Sequence, residues 1–406
     1  MKRWLIPLMA IVGAVCAGAD THERYLLFNM GPRSGFNVKR PGTITAETFD
    51  EFRDAFAGLP ASHIRPGCKL IFSYLAVDIE TLKQSLRNYL EAAEATGTPV
   101  MVKFDGEQWW QNRPDLWNWW DPDLPGYDPA NAKNVEWRHW GPEYALKVGW
   151  RNWGRQIRVQ PPPNLMSPEY RRACHEAMDE LLPIIVRWWR ELPREKKHLF
   201  AGLNVGWESA IGVNGFYYPN GNELLDDPPE DDPDYGLTRK DVLSRGAVQI
   251  GYAAVRTAGL RDRGNITEDD LVEVIRLHLE DLSRHVREAG IPRERIFTHG
   301  WGNEFGEKLY NAAVNRYSCP GWSDYWYAMD PNRDEGMMRA LELSDAPWWG
   351  AVEWMLLRPY KTELWARAMR QTLAHPRCRL LCMYNWHKVR DNPPLLEAAR
   401  QTVRGE

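Results

Sequence analysis

Along the chain, short runs of β-branched and aliphatic residues alternate with longer segments whose apolar positions recur every three or four residues. That alternation builds a parallel sheet with crossover helices. The apolar runs predict strands over Tyr25 to Asn29, Lys69 to Val77, Val100 to Phe104, His198 to Val205 and Arg295 to His299. A sixth falls within Ala312 to Tyr317, and the last two cover Gly350 to Trp354 and Arg379 to Tyr384. Asp78 caps a helix that runs to Ala95 and is closed by Gly97 and Pro99. Ser167-Pro168 opens a helix ending near Leu192, helical spacing covers Arg239 to Leu260, and the cap-like Thr267 opens another to Ala289. Further helices are expected near Glu335 to Leu343, between the last two strands, and at the end of the chain.

Strands in βα order with no low-complexity linker or internal repeat predict one α/β domain, a single (β/α)8 TIM barrel over residues 20–406 with long loops after strands three and four. A doubly wound open sheet would carry a Gly-rich phosphate loop after an early strand, and the sequence has none. The first residues do not belong to the barrel. Lys2 and Arg3, the apolar run Trp4 to Val15 and the triplet Ala17-Gly18-Ala19 have the order of a secretory signal peptide, expected over residues 1–19. The mature protein is therefore expected to be secreted or periplasmic. Lipidation of Cys16 would call for a large aliphatic residue three positions upstream, where Gly13 stands.

Beyond the signal, no stretch reaches the ~18 apolar residues of a membrane span. A net charge of -4 over 406 residues argues against nucleic acid or an anionic membrane as the main partner. The remaining cysteines, Cys68, Cys174, Cys319, Cys378 and Cys382, are odd in number and form no metal-binding spacing, so buried thiols are expected and no metal or cofactor. The 21 tryptophans change the picture more. They suit core and loop packing, and they also suit a sugar cleft, where indole faces stack on the C–H faces of pyranose rings. The irregular run from Trp109 to Trp153 in the loop after strand three fits either use.

In a barrel of this kind the chemistry sits at the C-terminal strand ends. Polar residues there are Asp105 and Glu107 after strand three, Trp207 and Glu208 after strand four, and His299 and Glu304 after strand five. Glu353 ends strand seven, and Tyr384, Asn385 and Trp386 end strand eight. Cleaving a glycosidic bond takes two carboxyl groups flanking the anomeric carbon, and Glu208 and Glu353 meet that need from two strand ends facing one mouth. Asp105, Glu107 and Trp109 suit a sugar subsite or a loop anchor. The turn-rich, aromatic segment from Gly212 to Asn222, with Asn214 within it, is a further subsite candidate.

These positions resemble clan A of the glycoside hydrolases, whose retaining barrels carry the acid/base at the end of strand four and the nucleophile at the end of strand seven. Glu208, in Asn204-Val205-Gly206-Trp207-Glu208-Ser209, matches the first, and Glu353, in Gly350-Ala351-Val352-Glu353-Trp354, matches the second. The resemblance implies a retaining β-glycosidase, β-galactosidase-like among the options, with Trp386 as the aromatic floor of the sugar subsite. It also implies Tyr317 as the strand-six tyrosine that hydrogen-bonds the nucleophile. Clan members have Asn directly before the acid/base, where this chain has Trp207. Asn303-Glu304 is such a pair, which keeps Glu304 open as the acid. A non-hydrolytic carbohydrate-binding barrel is the alternative function. A metal-dependent hydrolase would show a His/Asp cluster, and the sequence has none.

Overall fold

A computed structural model describes residues 22–29, 37–60, 62–152, 156–212, 248–301 and 308–406. Eight strands close into a parallel barrel: β1 (Arg24–Asn29), β2 (Ile64–Ser73), β3 (Val100–Asp105), β6 (Phe200–Ser209), β7 (Ile296–Gly300), β8 (Gly321–Asp324), β9 (Trp349–Trp354) and β10 (Cys378–Met383). The remaining two, β4 (Gly149–Asn152) and β5 (Gln156–Val159), form an antiparallel hairpin inside the loop after β3. The fold is a single (β/α)8 barrel.

Helix ends follow the side-chain chemistry of the sequence. Asp78 accepts from the Thr81 N–H at the start of Ile79–Thr96, and Gly97 ends that helix in the left-handed region. Ser167 caps Pro168–Glu191, and Thr267 forms a capping box with Asp270 at the start of Glu268–Glu288. Of the helical spacing expected over Arg239 to Leu260, the described part holds Tyr252–Thr257.

Two strand expectations are corrected. The second strand begins earlier, at Ile64, and ends at Ser73, where the chain turns with the Ala76 N–H donating to the Ser73 carbonyl. The sixth strand is Gly321–Asp324 rather than a segment within Ala312 to Tyr317. Leu309–Ala312 is helical there, and Asn315 holds a turn by accepting from the Tyr317 and Ser318 N–H groups.

The apolar residues form two layers. Leu26, Phe28, Phe72, Phe104 and Trp354 pack outward with the helices, whereas Tyr25, Leu27, Met101, Phe297, Val352 and Cys382 form a separate cluster that fills the barrel. Strand alternation then carries the inner face upward from Met101 to Lys103 and Asp105, and from Phe297 to His299. The barrel is thus apolar at its base and charged at its C-terminal mouth. All five cysteines beyond residue 21 are buried free thiols. Among the described residues no helix is long and apolar enough to cross a membrane.

Candidate active site

The end of β6 is built to re-aim side chains. Phe200 pairs with Val100 and Gly202 with Met101, so one residue is inserted and the alternation changes face. Leu203 and Val205 therefore join the outer core and leave Asn204 inside, where its amide donates to the Phe297 and Thr298 carbonyls at 3.1 Å and 3.0 Å. A second irregularity lies between Val205 and Ser209. Gly206 has φ +81°, and a Cβ there would meet the Ser209 Oγ at 2.6 Å and Leu279 Cδ2 at 2.7 Å. Glu208 follows with φ +45°, the one described non-glycine residue at positive φ. That conformation costs about 1–2 kcal/mol, and strain of this sort gathers at functional sites.

The bulge places Glu208 opposite Glu353 of β9, both nearly fully buried. A tyrosine stands between them. The Tyr325 hydroxyl lies 3.1 Å from Glu208 Oε1 and 2.7 Å from Glu353 Oε1. The two carboxylate oxygens are therefore at most about 5.8 Å apart, 3.1 Å plus 2.7 Å laid end to end. A phenol has one proton to give. Both contacts are hydrogen bonds only when one carboxyl is protonated and donates to the phenolic oxygen while the other, ionised, accepts from it. Glu353 makes the shorter of the two contacts. Ser323, on β8, adds a hydroxyl 2.8 Å from Glu208 Oε1. The Glu353 Oε2 atom is buried without a hydrogen-bond partner among the described residues, an oxygen held ready at the mouth.

No protein-family model matches the chain, and no curated protein does. Among solved structures it is similar to the YdhT protein from Bacillus subtilis, at 10% identity over 95% of this chain and 83% of that one, with a TM-score of 0.42. It is also similar to a glycoside hydrolase family 5 enzyme from Prevotella bryantii, at 12% identity over 95% and 96% with a TM-score of 0.41. A β-mannanase from the blue mussel Mytilus edulis shows 11% identity over 95% and 93%, with a TM-score of 0.40.

Beneath the carboxylates lies a layer of buried bases. Lys69 of β2 donates to the Val352 carbonyl, directly before Glu353. Lys103 of β3 contacts His299 Nδ1 and stacks under the Trp207 ring at 4.1 Å from its centroid. Burial, then the neighbouring Lys69, lowers the Lys103 ammonium to about 7. The same burial, with both lysines, holds His299 well below the ordinary histidine range, so its ring is neutral. Tyr325 is pushed well above 10 by burial and then by the two carboxylates, so it stays a hydroxyl.

Asp105 and Glu107 lie at the mouth but are engaged with protein. Asp105 accepts from the Glu107 and Gln108 N–H groups, each at 3.0 Å, and from Ser73 Oγ, and burial raises it to about 6. Glu107 joins Ser209 Oγ at 2.8 Å to His278 Nε2 at 3.0 Å, clamping the helix Glu268–Glu288 against the strand end that carries Glu208. Trp109 is half-buried in the same loop. Other tryptophans of that loop pack the loop itself: Trp110, Trp119 and Trp137 donate their indole N–H to the Pro161, Leu146 and Ala132 carbonyls. Tyr384 is half-buried, and burial raises its hydroxyl above the ordinary range, with Glu353 and Glu208 adding to the rise. Its peptide bond to Asn385 is cis.

Two expected site residues are placed elsewhere. Tyr317 precedes β8, at the opposite end of the barrel, where Arg316 donates to its hydroxyl at 2.7 Å. The tyrosine at the carboxylates is Tyr325, eight positions on, and the misplaced sixth strand is the reason it is missed. Trp386 is 1% exposed, packs on Phe28 and Phe52 at 5.2 Å and 4.9 Å, and donates to Glu51. It seals the outer core because Asn385 turns the chain away from the mouth into a short helix, Trp386–Arg390. Asn214 and Glu304 lie outside the described residues.

A hollow of about 330 Å³ opens beside Tyr325, lined by Trp326, Tyr327, Leu356, Leu357 and Arg358. Trp326 is 59% exposed there, an indole face presented to solvent one residue from the bridging hydroxyl. A larger hollow, about 420 Å³, lies at the other end of the barrel around Pro66 and Pro99, the face that serves stability in this fold.

Proposed function

We propose that the protein is an exported retaining glycoside hydrolase, a distant member of clan A, that cleaves β-glycosidic bonds in a poly- or oligosaccharide. The observation that carries the proposal is the pair Glu208 and Glu353 bridged by one tyrosine hydroxyl. Retaining enzymes hold their carboxyl groups roughly 5 to 5.5 Å apart, whereas inverting enzymes need about 6.5 to 9.5 Å to admit a water. An upper bound of about 5.8 Å between the bridged oxygens supports the first arrangement.

In this scheme Glu353 attacks the anomeric carbon through Oε2, which has no hydrogen-bond partner among the described residues, while Glu208 protonates the departing glycosidic oxygen. The bond between sugar and leaving group breaks as the bond to Glu353 forms. Glu208, now a carboxylate, then takes a proton from a water that attacks the same carbon from the leaving-group side, and Glu353 departs with net retention. Lys69 and Lys103 place positive charge beneath the nucleophile. The exposed Trp326 beside Tyr325 offers a face for a sugar ring of a longer substrate. A carbohydrate-binding barrel without hydrolysis has no use for a buried carboxyl pair sharing a phenol.

The test is an activity screen on aryl β-glycosides, β-galactosides first, and on β-linked polysaccharides. Once a substrate is found, Glu208→Gln and Glu353→Gln are each expected to lose at least about 100-fold in kcat/KM, the scale of a lost acid or nucleophile. Wild-type turnover in both would remove the proposal.

A further inference from the structure

The buried bases beneath the carboxylates form a chain with a direction. Ser323 Oγ is 2.8 Å from Glu208 Oε1 and 2.9 Å from His299 Nε2, and His299 Nδ1 contacts Lys103 Nζ. An ammonium group can only donate, so a charged Lys103 fixes His299 Nδ1 as the acceptor. The neutral ring then carries its proton on Nε2 and donates it to Ser323 Oγ, which leaves the serine hydroxyl free to donate to Glu208. Each bond dictates the next. When Lys103 is neutral, its amine accepts as well as donates, and the direction of the whole chain is released.

We propose that Lys103, His299 and Ser323 are positioning residues that act in series on Glu208, turning the Ser323 hydroxyl toward its carboxylate and thereby stabilising the base form that deglycosylation requires. This rests on the assignment of Glu208 as acid/base. The site makes the linkage close to neutral pH, because the Lys103 ammonium, lowered to about 7 by burial, changes charge there. Other charged groups face the same site: Lys69 from β2, Asp105 from β3 and Glu353 from β9 act on Lys103, and Glu208 itself from β6 acts on it directly through space. Arg151 from the hairpin, Tyr325 after β8 and Tyr384 after β10 act on or respond to Glu208. Their through-space fields reach Glu208 whether or not the chain is intact, which is what separates a relay from a general electrostatic effect.

The experiment is a double-mutant cycle on the pH profile of kcat/KM, using Lys103→Met, Ser323→Ala and the double variant, each checked for folding by thermal unfolding. The alkaline limb reports loss of the proton from Glu208. Removing a donor from a carboxylate raises its pKa, so each single variant is expected to move that limb upward by about one pH unit. In the Ser323→Ala background the further change at Lys103 is expected to move it by much less than in the wild type. Fully additive shifts, or an unmoved limb in Ser323→Ala, overturn the relay; the Ser323→Ala arm stands alone should Lys103→Met fail to fold. Wild-type activity in Glu208→Gln would instead remove the acid/base assignment on which the relay is built.

Discussion

At the scale of single residues, the site turns on two protons distributed over three oxygens, those of Glu208, Tyr325 and Glu353. Tyr325 cannot donate to both Glu208 and Glu353, so both contacts are satisfied together when one carboxyl is neutral and the other ionised, the state from which the proposed retaining reaction would start. Tyr325→Phe keeps the ring and removes that arbitration. It is expected to lower kcat by about 10- to 100-fold with little change in KM, the loss of a hydrogen bond to a charged group felt in the transition state. Steady-state kinetics check it, and an unchanged kcat would show the hydroxyl to be idle. Glu208 and Glu353 were legible in the sequence because each ends a recognisable apolar strand. Tyr325 was not, because β8 is short and carries Gly321, Trp322 and Ser323 in place of the β-branched residues that announce a strand. Lys69 and Lys103 were hidden for another reason. Lysine is almost never fully buried, so a lysine inside an apolar run reads as an exception until its partners, a carbonyl and a histidine from distant strands, are seen.

At the scale of elements, the strands and helices with strong periodicity and caps lie close to where the pattern puts them, and departures come where a bulge or a long connection overrides it. The insertion at Gly202 is invisible to a count of alternating residues, yet it decides which side chains of β6 face the barrel. The loop after β3 holds its own hairpin and a buried acid, Glu136, which accepts from the Trp137 N–H and meets the backbone of Gly251, Ala253 and Ala254 at the start of the helix Tyr252–Thr257. Burial raises this carboxyl to about 8. Between its unfolded value of 4.5 and about 8 the folded state binds more protons, so its contribution to stability is full at low pH and falls as pH rises through that window. Glu136→Gln removes the titration. Urea unfolding at pH 5 and pH 8 is expected to show a wild-type loss of about 1 kcal/mol or more that the variant lacks. Equal pH dependence in the two proteins would contradict this account of the loop.

At the scale of the whole molecule, the barrel separates two tasks along its axis. Its base is packed with Tyr25, Leu27, Met101 and Phe297, and its mouth concentrates the buried Glu208, Glu353, Lys69, Lys103 and His299 with the half-buried Tyr325. The βα order made that architecture legible in the sequence, and with it the end of the barrel where chemistry belongs. The sequence did not say which mouth residues face each other and which serve the loops, since Asp105, Glu107 and Trp386 have the same residue types and strand-end positions as the residues that meet at the centre. The spacing of Glu208 and Glu353 is the feature that makes a mechanistic commitment. The most direct measurement is proton NMR of a hydrolysis reaction begun with a β-linked substrate, recorded before the product mutarotates. Retention makes the β-anomer accumulate first, and first appearance of the α-anomer would contradict a retaining reaction.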